Sequence, residues 1–122
     1  KQVRPLLAPG AMVVLMASVS GKWGSFDPIY AASKAAIIGL VKSLALWHGK
    51  EQRFVGLAPA LVEGSTMFEA MVPERRDHHR KTSPTGALLQ QSDLARMLVD
   101  LTQPHWGHLN GTVVSLDGGL WP

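Results

Sequence analysis

Tyr30 and Lys34 stand four residues apart in Tyr30-Ala-Ala-Ser-Lys34, and Ser18 stands twelve residues before the tyrosine. On a helix, residues i and i+4 lie one above the other on the same face, so an ammonium at 34 sits beside whatever the phenol at 30 touches. A neighbouring positive charge favours phenolate over phenol, which suits such a pair to giving and taking a proton. The Ser18 hydroxyl would then hydrogen-bond the reacting oxygen. Taken alone, Tyr-x-x-x-Lys describes a structural tyrosine beside a solvated lysine more often than a proton-transfer site, and its surroundings decide between them.

The surroundings alternate strand-like and helix-like segments. Ala11-Met-Val-Val-Leu-Met-Ala17 is a continuous apolar run of strand length that ends on Ser18-Val19-Ser20-Gly21. Such a run over 12–17 marks a parallel strand covered on both faces. The residues ahead of Pro9-Gly10 read as the tail of a helix stopped by that pair, and Gly21 to Phe26 as a glycine-containing loop. Asp27 then provides an N-cap and Pro28 a first helical residue whose missing N–H costs nothing, so a helix is predicted from 28 to about His48, ending at Gly49. Its expected core stripe is Ile29, Ala32, Ala36, Leu40, Leu44 and Ala45. A second buried strand is predicted over 53–58, checked at Pro59. Ser92-Asp93 is expected to cap a helix over about 93–102 with Leu94, Met97, Leu98 and Leu101 on one side, and Asn110-Gly111 to turn into a third strand, 112–116.

Strand, helix, strand, helix, strand with long crossovers means a parallel α/β sheet, and such sheets bind ligands beyond the carboxyl ends of their strands. Ser18 and Pro59 follow two of those ends, and Tyr30, in the first turn of the next helix, returns toward the same rim.

Composition narrows the partners. At 122 residues and 46% hydrophobic the chain is expected to form one unit. The sequence reads as having no apolar stretch near 18 residues, so no membrane span is expected. The start lacks both an initiator Met and an apolar signal core, which reads as a cut chain rather than a targeting peptide. With no cysteine there is neither a disulfide nor a thiolate, which fits a cytoplasmic location. The net charge is +3, but the densest basic cluster, Arg75-Arg76-Asp77-His78-His79-Arg80-Lys81, is short, contains an acid and has no interleaved aromatics. It reads as a solvated or substrate-facing loop, and no nucleic-acid partner is expected. His105 and His108 have no third ligand nearby, so no metal site is expected either.

Together, Ser18, Tyr30-Ala-Ala-Ser-Lys34, Arg53-Phe-Val-Gly-Leu-Ala-Pro59 and the closing Gly111-Thr-Val-Val-Ser-Leu-Asp-Gly-Gly119 resemble the C-terminal half of the short-chain dehydrogenase/reductase family over nearly the whole chain. The resemblance implies a Rossmann-like doubly wound parallel sheet, of which this chain supplies the last three strands and their helices. It implies that Tyr30 is the general acid and base, that Lys34 activates it and hydrogen-bonds the nicotinamide ribose, and that Ser18 orients the substrate oxygen, with Ser20 a lesser candidate because the intervening loop is one residue short of many relatives. Pro59-Ala60-Leu61-Val62 corresponds to a segment, usually Pro-Gly, whose following backbone groups contact the nicotinamide carboxamide. Ala60 departs from that pattern, and a positive φ there would strain it. Thr66 resembles a threonine that touches the nicotinamide, although Gly64-Ser65 looks like an insertion and Ser65 competes for the role. Residues 66–82, with Met67, Phe68, Met71 and Val72 among charges, match the substrate-covering region, and their apolar members suggest a partly apolar substrate.

The implied cofactor is NAD or NADP and the implied substrate a small carbonyl or alcohol. The family's Thr-Gly-x-x-x-Gly-x-Gly phosphate turn occurs nowhere in these 122 residues. Residues 1–122 are therefore expected to be the C-terminal part of a single domain whose N-terminal dinucleotide-phosphate-binding half lies outside this chain. The leading expectation is an oxidoreductase or its catalytic half; a non-catalytic binding or assembly relative is the alternative, and a lyase or epimerase on the same scaffold a more distant one. A homo-oligomer is expected, through the long helix and the end at Leu120-Trp121-Pro122.

Overall fold

A computed structural model describes residues 6–121. The expected helix tail ahead of Pro9-Gly10 falls mainly on residues 1–5, and Pro122 likewise lies outside the described residues. The elements run β1 (Met12–Met16), α1 (Ser20–Trp23), α2 (Pro28–His48), β2 (Arg53–Pro59), β3 (Val62–Glu63), α3 (Thr66–Glu69), α4 (Pro73–Thr82), β4 (Leu89–Gln90), α5 (Gln91–Asp100), a 3₁₀ turn at Pro104–Trp106, and β5 (Val113–Leu116).

Three strands form one parallel sheet in the order β1-β2-β5, with Val14 opposite Val55 and Leu57 opposite Val114. The central strand β2 is buried from Phe54 to Ala58, as its unbroken apolar run requires for a strand covered on both faces. On one face Val55 and Leu57 pack with Leu94, Leu98 and Leu101 from α5 and the residue after it. On the other, α2 approaches β2 at Gly56, where a Cβ would meet Val41 at 3.3 Å and Val113 at 2.9 Å. Glycine at 56 lets the helix lie close to the sheet. Asn110 and Gly111 extend the pairing of β5, since Asn110 Oδ1 accepts from the Phe54 N–H at 2.8 Å and Gly111 N–H donates to Phe54 C=O at 2.8 Å. Gly111 takes a φ of 72°, the left-handed turn its residue type favours.

Helix α2 begins as its sequence dictates: Asp27 Oδ1 accepts from the backbone N–H groups of Ile29 and Tyr30, each at 3.0 Å. Its buried stripe, however, differs from the expected one. Ile29, Ala32, Ala36 and Leu40 are exposed, whereas Tyr30, Lys34, Ile37, Ile38, Val41, Leu44 and Ala45 face inward. The helix is apolar on more than one side, so periodicity alone chose the wrong row. It is also long and apolar enough to cross a membrane by length and composition, which corrects the expectation that no such stretch exists. Here it covers a sheet.

Three further expectations are corrected. Residues 20–23 form a short helix instead of opening a loop, and the basic cluster at 75–81 is helical, because Pro73 and Glu74 open α4 and no glycine interrupts it. α5 begins at Gln91 with Gln90 as an N-cap that makes no side-chain bond, so Ser92 and Asp93 lie inside the helix rather than capping it.

Candidate active site

The strand ends β1 and β2 open into a cavity of about 520 Å³ lined by Ser18, Ser20, Tyr30, Lys34, Pro59, Ala60, Val62 and Ser65, together with Met67, Met71, Arg75, His79, Leu120 and Trp121. Of the catalytic and cofactor-binding residues singled out by sequence, Thr66 alone is absent from this lining, and of the substrate-covering residues Met67 and Met71 reach it whereas Phe68 and Val72 do not. Thr66 is the first residue of α3, and Ser65 caps that helix, its Oγ accepting from Phe68 N–H at 3.2 Å.

Each polar group has a definable state. Ser18 is buried, and its Oγ accepts from the Ser20 N–H at 3.1 Å, which leaves its own O–H available to donate. Lys34 Nζ donates to the Met16 carbonyl at 3.1 Å and lies 5.6 Å from the centre of the Tyr30 ring. One of its three donors is thus fixed at the end of β1, holding the ammonium beside the phenol. Among the described residues no hydrogen bond reaches the Tyr30 hydroxyl. Ala60 adopts no positive φ, so the alanine in place of glycine carries no backbone strain. Its N–H donates to Leu116 C=O at 3.1 Å and is occupied in joining β2 to β5.

α1 holds the serines against α2. An added Cβ on Gly21 would lie 2.6 Å from the Lys34 carbonyl carbon and 2.7 Å from the Ala35 nitrogen, so the two backbones touch where Lys34 begins. Lys22 Nζ reaches across to Ser115 Oγ at 2.6 Å and Val113 C=O at 3.2 Å.

Above the cavity, α3 and α4 are tied down by charge. Arg80 bonds Glu63 of β3, and Gln90 Nε2 donates to the same carboxylate at 2.7 Å. The Arg80 bond first and the Gln90 bond second hold Glu63 below the usual carboxylate range. Arg76 and Arg80 lie 4.8 and 5.4 Å from the centre of the Phe68 ring, a pair of cation–π contacts. Burial pushes His79 below the ordinary imidazole range, and the charges of Arg75 and then His78 add to the effect. The sequence left the 75–81 cluster open between a solvated and a substrate-facing segment without choosing members; of it, Arg75 and His79 line the cavity. Their i,i+4 spacing behind Pro73-Glu74 was the available signal. Among the described residues no group of three or more His, Cys, Asp or Glu is placed to hold a metal ion.

A family model described as enoyl-(acyl carrier protein) reductase matches residues 1–121. A short-chain type dehydrogenase/reductase of Sinorhizobium fredii is 31% identical over 118 residues, covering 93% of this chain and 22% of that protein. The chain belongs to the short-chain dehydrogenase/reductase family. A 3-oxoacyl-[acyl-carrier-protein] reductase of Thermotoga maritima is 30% identical over 110 residues, 88% of this chain and 44% of its own length. Among solved structures, a 7α-hydroxysteroid dehydrogenase complexed with NADH and 7-oxo glycochenodeoxycholic acid superposes with a TM-score of 0.83 at 26% identity, over 91% of this chain and 44% of that one. The fold is therefore the parallel Rossmann-type α/β sheet of this family, and the chain spans less than half the length of each of these three relatives.

Proposed function

We propose that residues 1–122 form the C-terminal part of a single short-chain dehydrogenase/reductase domain, and that the whole domain interconverts a carbonyl and an alcohol with NAD or NADP. The observation that carries this reading is the meeting of Ser18, Tyr30 and Lys34 in one cavity at the strand ends. In reduction the Tyr30 hydroxyl gives its proton to the substrate oxygen; in oxidation the phenolate takes it back. Lys34, anchored on Met16, keeps a positive charge beside that oxygen and has two donors left for a ribose. Ser18 donates its hydroxyl hydrogen to the substrate oxygen and so orients the carbonyl.

The nicotinamide would supply or accept the hydride. Residues on this chain fit its nicotinamide end: Lys34 for the ribose, and the unstrained Pro59-Ala60 segment with Val62 for the carboxamide. Because the Ala60 N–H is already bonded to Leu116, that contact falls to other backbone groups of the segment. Ser65, which lines the cavity, is favoured over Thr66 as the hydroxyl nearest the ring. The phosphate-binding half is supplied by polypeptide outside these residues.

Tyr30→Phe in the natural polypeptide that carries this segment tests the reading. Loss of a general acid typically costs about 10²- to 10⁴-fold in rate, so kcat should fall by at least about 100-fold while NAD(P)H still binds. Turnover that survives the substitution would remove Tyr30 from the chemistry. Cofactor binding without any turnover in the wild type would favour a non-catalytic relative.

A further inference from the structure

Three arginines of α4 have different fates. Arg76 lies 3.7 Å from Glu69, and Arg80 is paired with both Glu63 and Asp77. Arg75 has no carboxylate partner among the described residues, yet it is the one that lines the cavity, with His79 one turn further along the same helix face. The sole carboxylate in that lining is Asp27, whose Oδ1 is bonded to two backbone N–H groups at the start of α2. Leu61, Met67, Met71, Leu120 and Trp121 give the lining an apolar wall, apart from the serines, Tyr30 and Lys34 already described. An unpaired guanidinium beside an imidazole, at the rim of an apolar wall with no free acid, is complementary to one ligand type: an apolar body ending in an anion.

We propose that Arg75, assisted by His79, recognises a terminal anionic group on the substrate, so that the substrate class is an apolar carbonyl or alcohol compound bearing a carboxylate or a phosphate. This rests on the reading of the cavity as the substrate site. Arg75 is a specificity residue: it contributes to which molecule is held and takes no part in moving the proton. His79, half-buried and with its titration lowered by burial and by the charge of Arg75, supplies a directional hydrogen bond where Arg75 supplies charge.

Binding read by tryptophan fluorescence tests this, because Trp121 lines the cavity. The natural polypeptide carrying these residues is titrated with octanoate, octyl phosphate and the neutral methyl octanoate, with NAD(P)H affinity measured alongside. A charge-assisted contact in a half-open site should make an anion bind about tenfold tighter than the ester. Arg75→Gln should bring that ratio to about one without weakening NAD(P)H, and His79→Asn should lower it by a smaller factor. Preference for octanoate identifies a carboxylate, preference for octyl phosphate a phosphate. Equal binding of anions and ester by the wild type overturns the proposal, as does a preference that survives Arg75→Gln. Loss of NAD(P)H affinity in that variant also overturns it, since Arg75 would then serve the cofactor's phosphates. An anion preference without Tyr30-dependent turnover would sink the oxidoreductase reading alone, and turnover of neutral ketones without anion preference would sink this one alone.

Discussion

Ser18, Tyr30 and Lys34 reach one cavity because three local rules agree: a strand ends, a capped helix begins, and positions 30 and 34 repeat on its inner face. Those residues were legible from spacing and type. Ala60 was legible only as a question, since its backbone angle depends on the neighbouring β5 contact, which no local pattern encodes. Glu63 was not legible at all: its partners, Arg80 and Gln90, lie 17 and 27 residues away. Because folding lowers the Glu63 titration, its contribution is complete above the ordinary carboxylate value, near pH 4, and is lost as pH falls through the lowered value. Amide exchange over 73–82, corrected for intrinsic rates, should therefore accelerate in acid as α4 loosens from β3. Glu63→Gln should show the loosened rate already at pH 7 and little further change. Identical protection in both proteins at pH 7 would mean that apolar packing, not this ion pair, holds α4.

At the scale of elements, what sequence conveyed depended on length and on capping. The strands of the main sheet and α2 were legible to within a residue or two because each combines a sustained pattern with a stop signal. α1, β3, β4 and α3 are two to four residues long, too short for any period to register, and they form through tertiary contacts. Gly21 shows how α1 is held. Gly21→Ala must push against the Lys34 and Ala35 backbone, and such overpacking costs about 1–3 kcal/mol. Gly39, in the interior of α2, has no atom within 4 Å of an added Cβ, so Gly39→Ala should stabilise by about 0.5–1 kcal/mol through helix propensity. Denaturant unfolding of the two variants should give opposite signs. If Gly39→Ala instead destabilises and shifts the mass seen by sedimentation, another chain packs on that face of α2.

Across the whole molecule, two apolar surfaces have no partner among the described residues. Among the described residues β1 pairs with β2 alone, so no strand covers its other edge beside half-buried Val13, Val14 and Leu15. On α2, Ile29, Leu46 and Trp47 are each about 80% exposed, and Trp23 stacks on Trp121 at 6.4 Å on the surface. That the strands are parallel was legible in the sequence, whereas their order β1-β2-β5 was not; no residue in β1 marks it as an edge by a charge, proline or bulge. A flat apolar edge without such protection recruits another strand. Residues 1–122 produced alone should therefore self-associate or unfold without cooperativity, whereas the same residues joined to the N-terminal half proposed above should unfold in one sharp transition. Sedimentation velocity and denaturant unfolding of the two preparations decide it. Met16→Lys, at the exposed end of β1, separates edge pairing from general stickiness, whereas Val14 packs against the core and would not: if association proceeds through β1, a charge there should weaken it, and if the outer face of α2 is responsible, association should persist and Trp47→Lys should remove it instead.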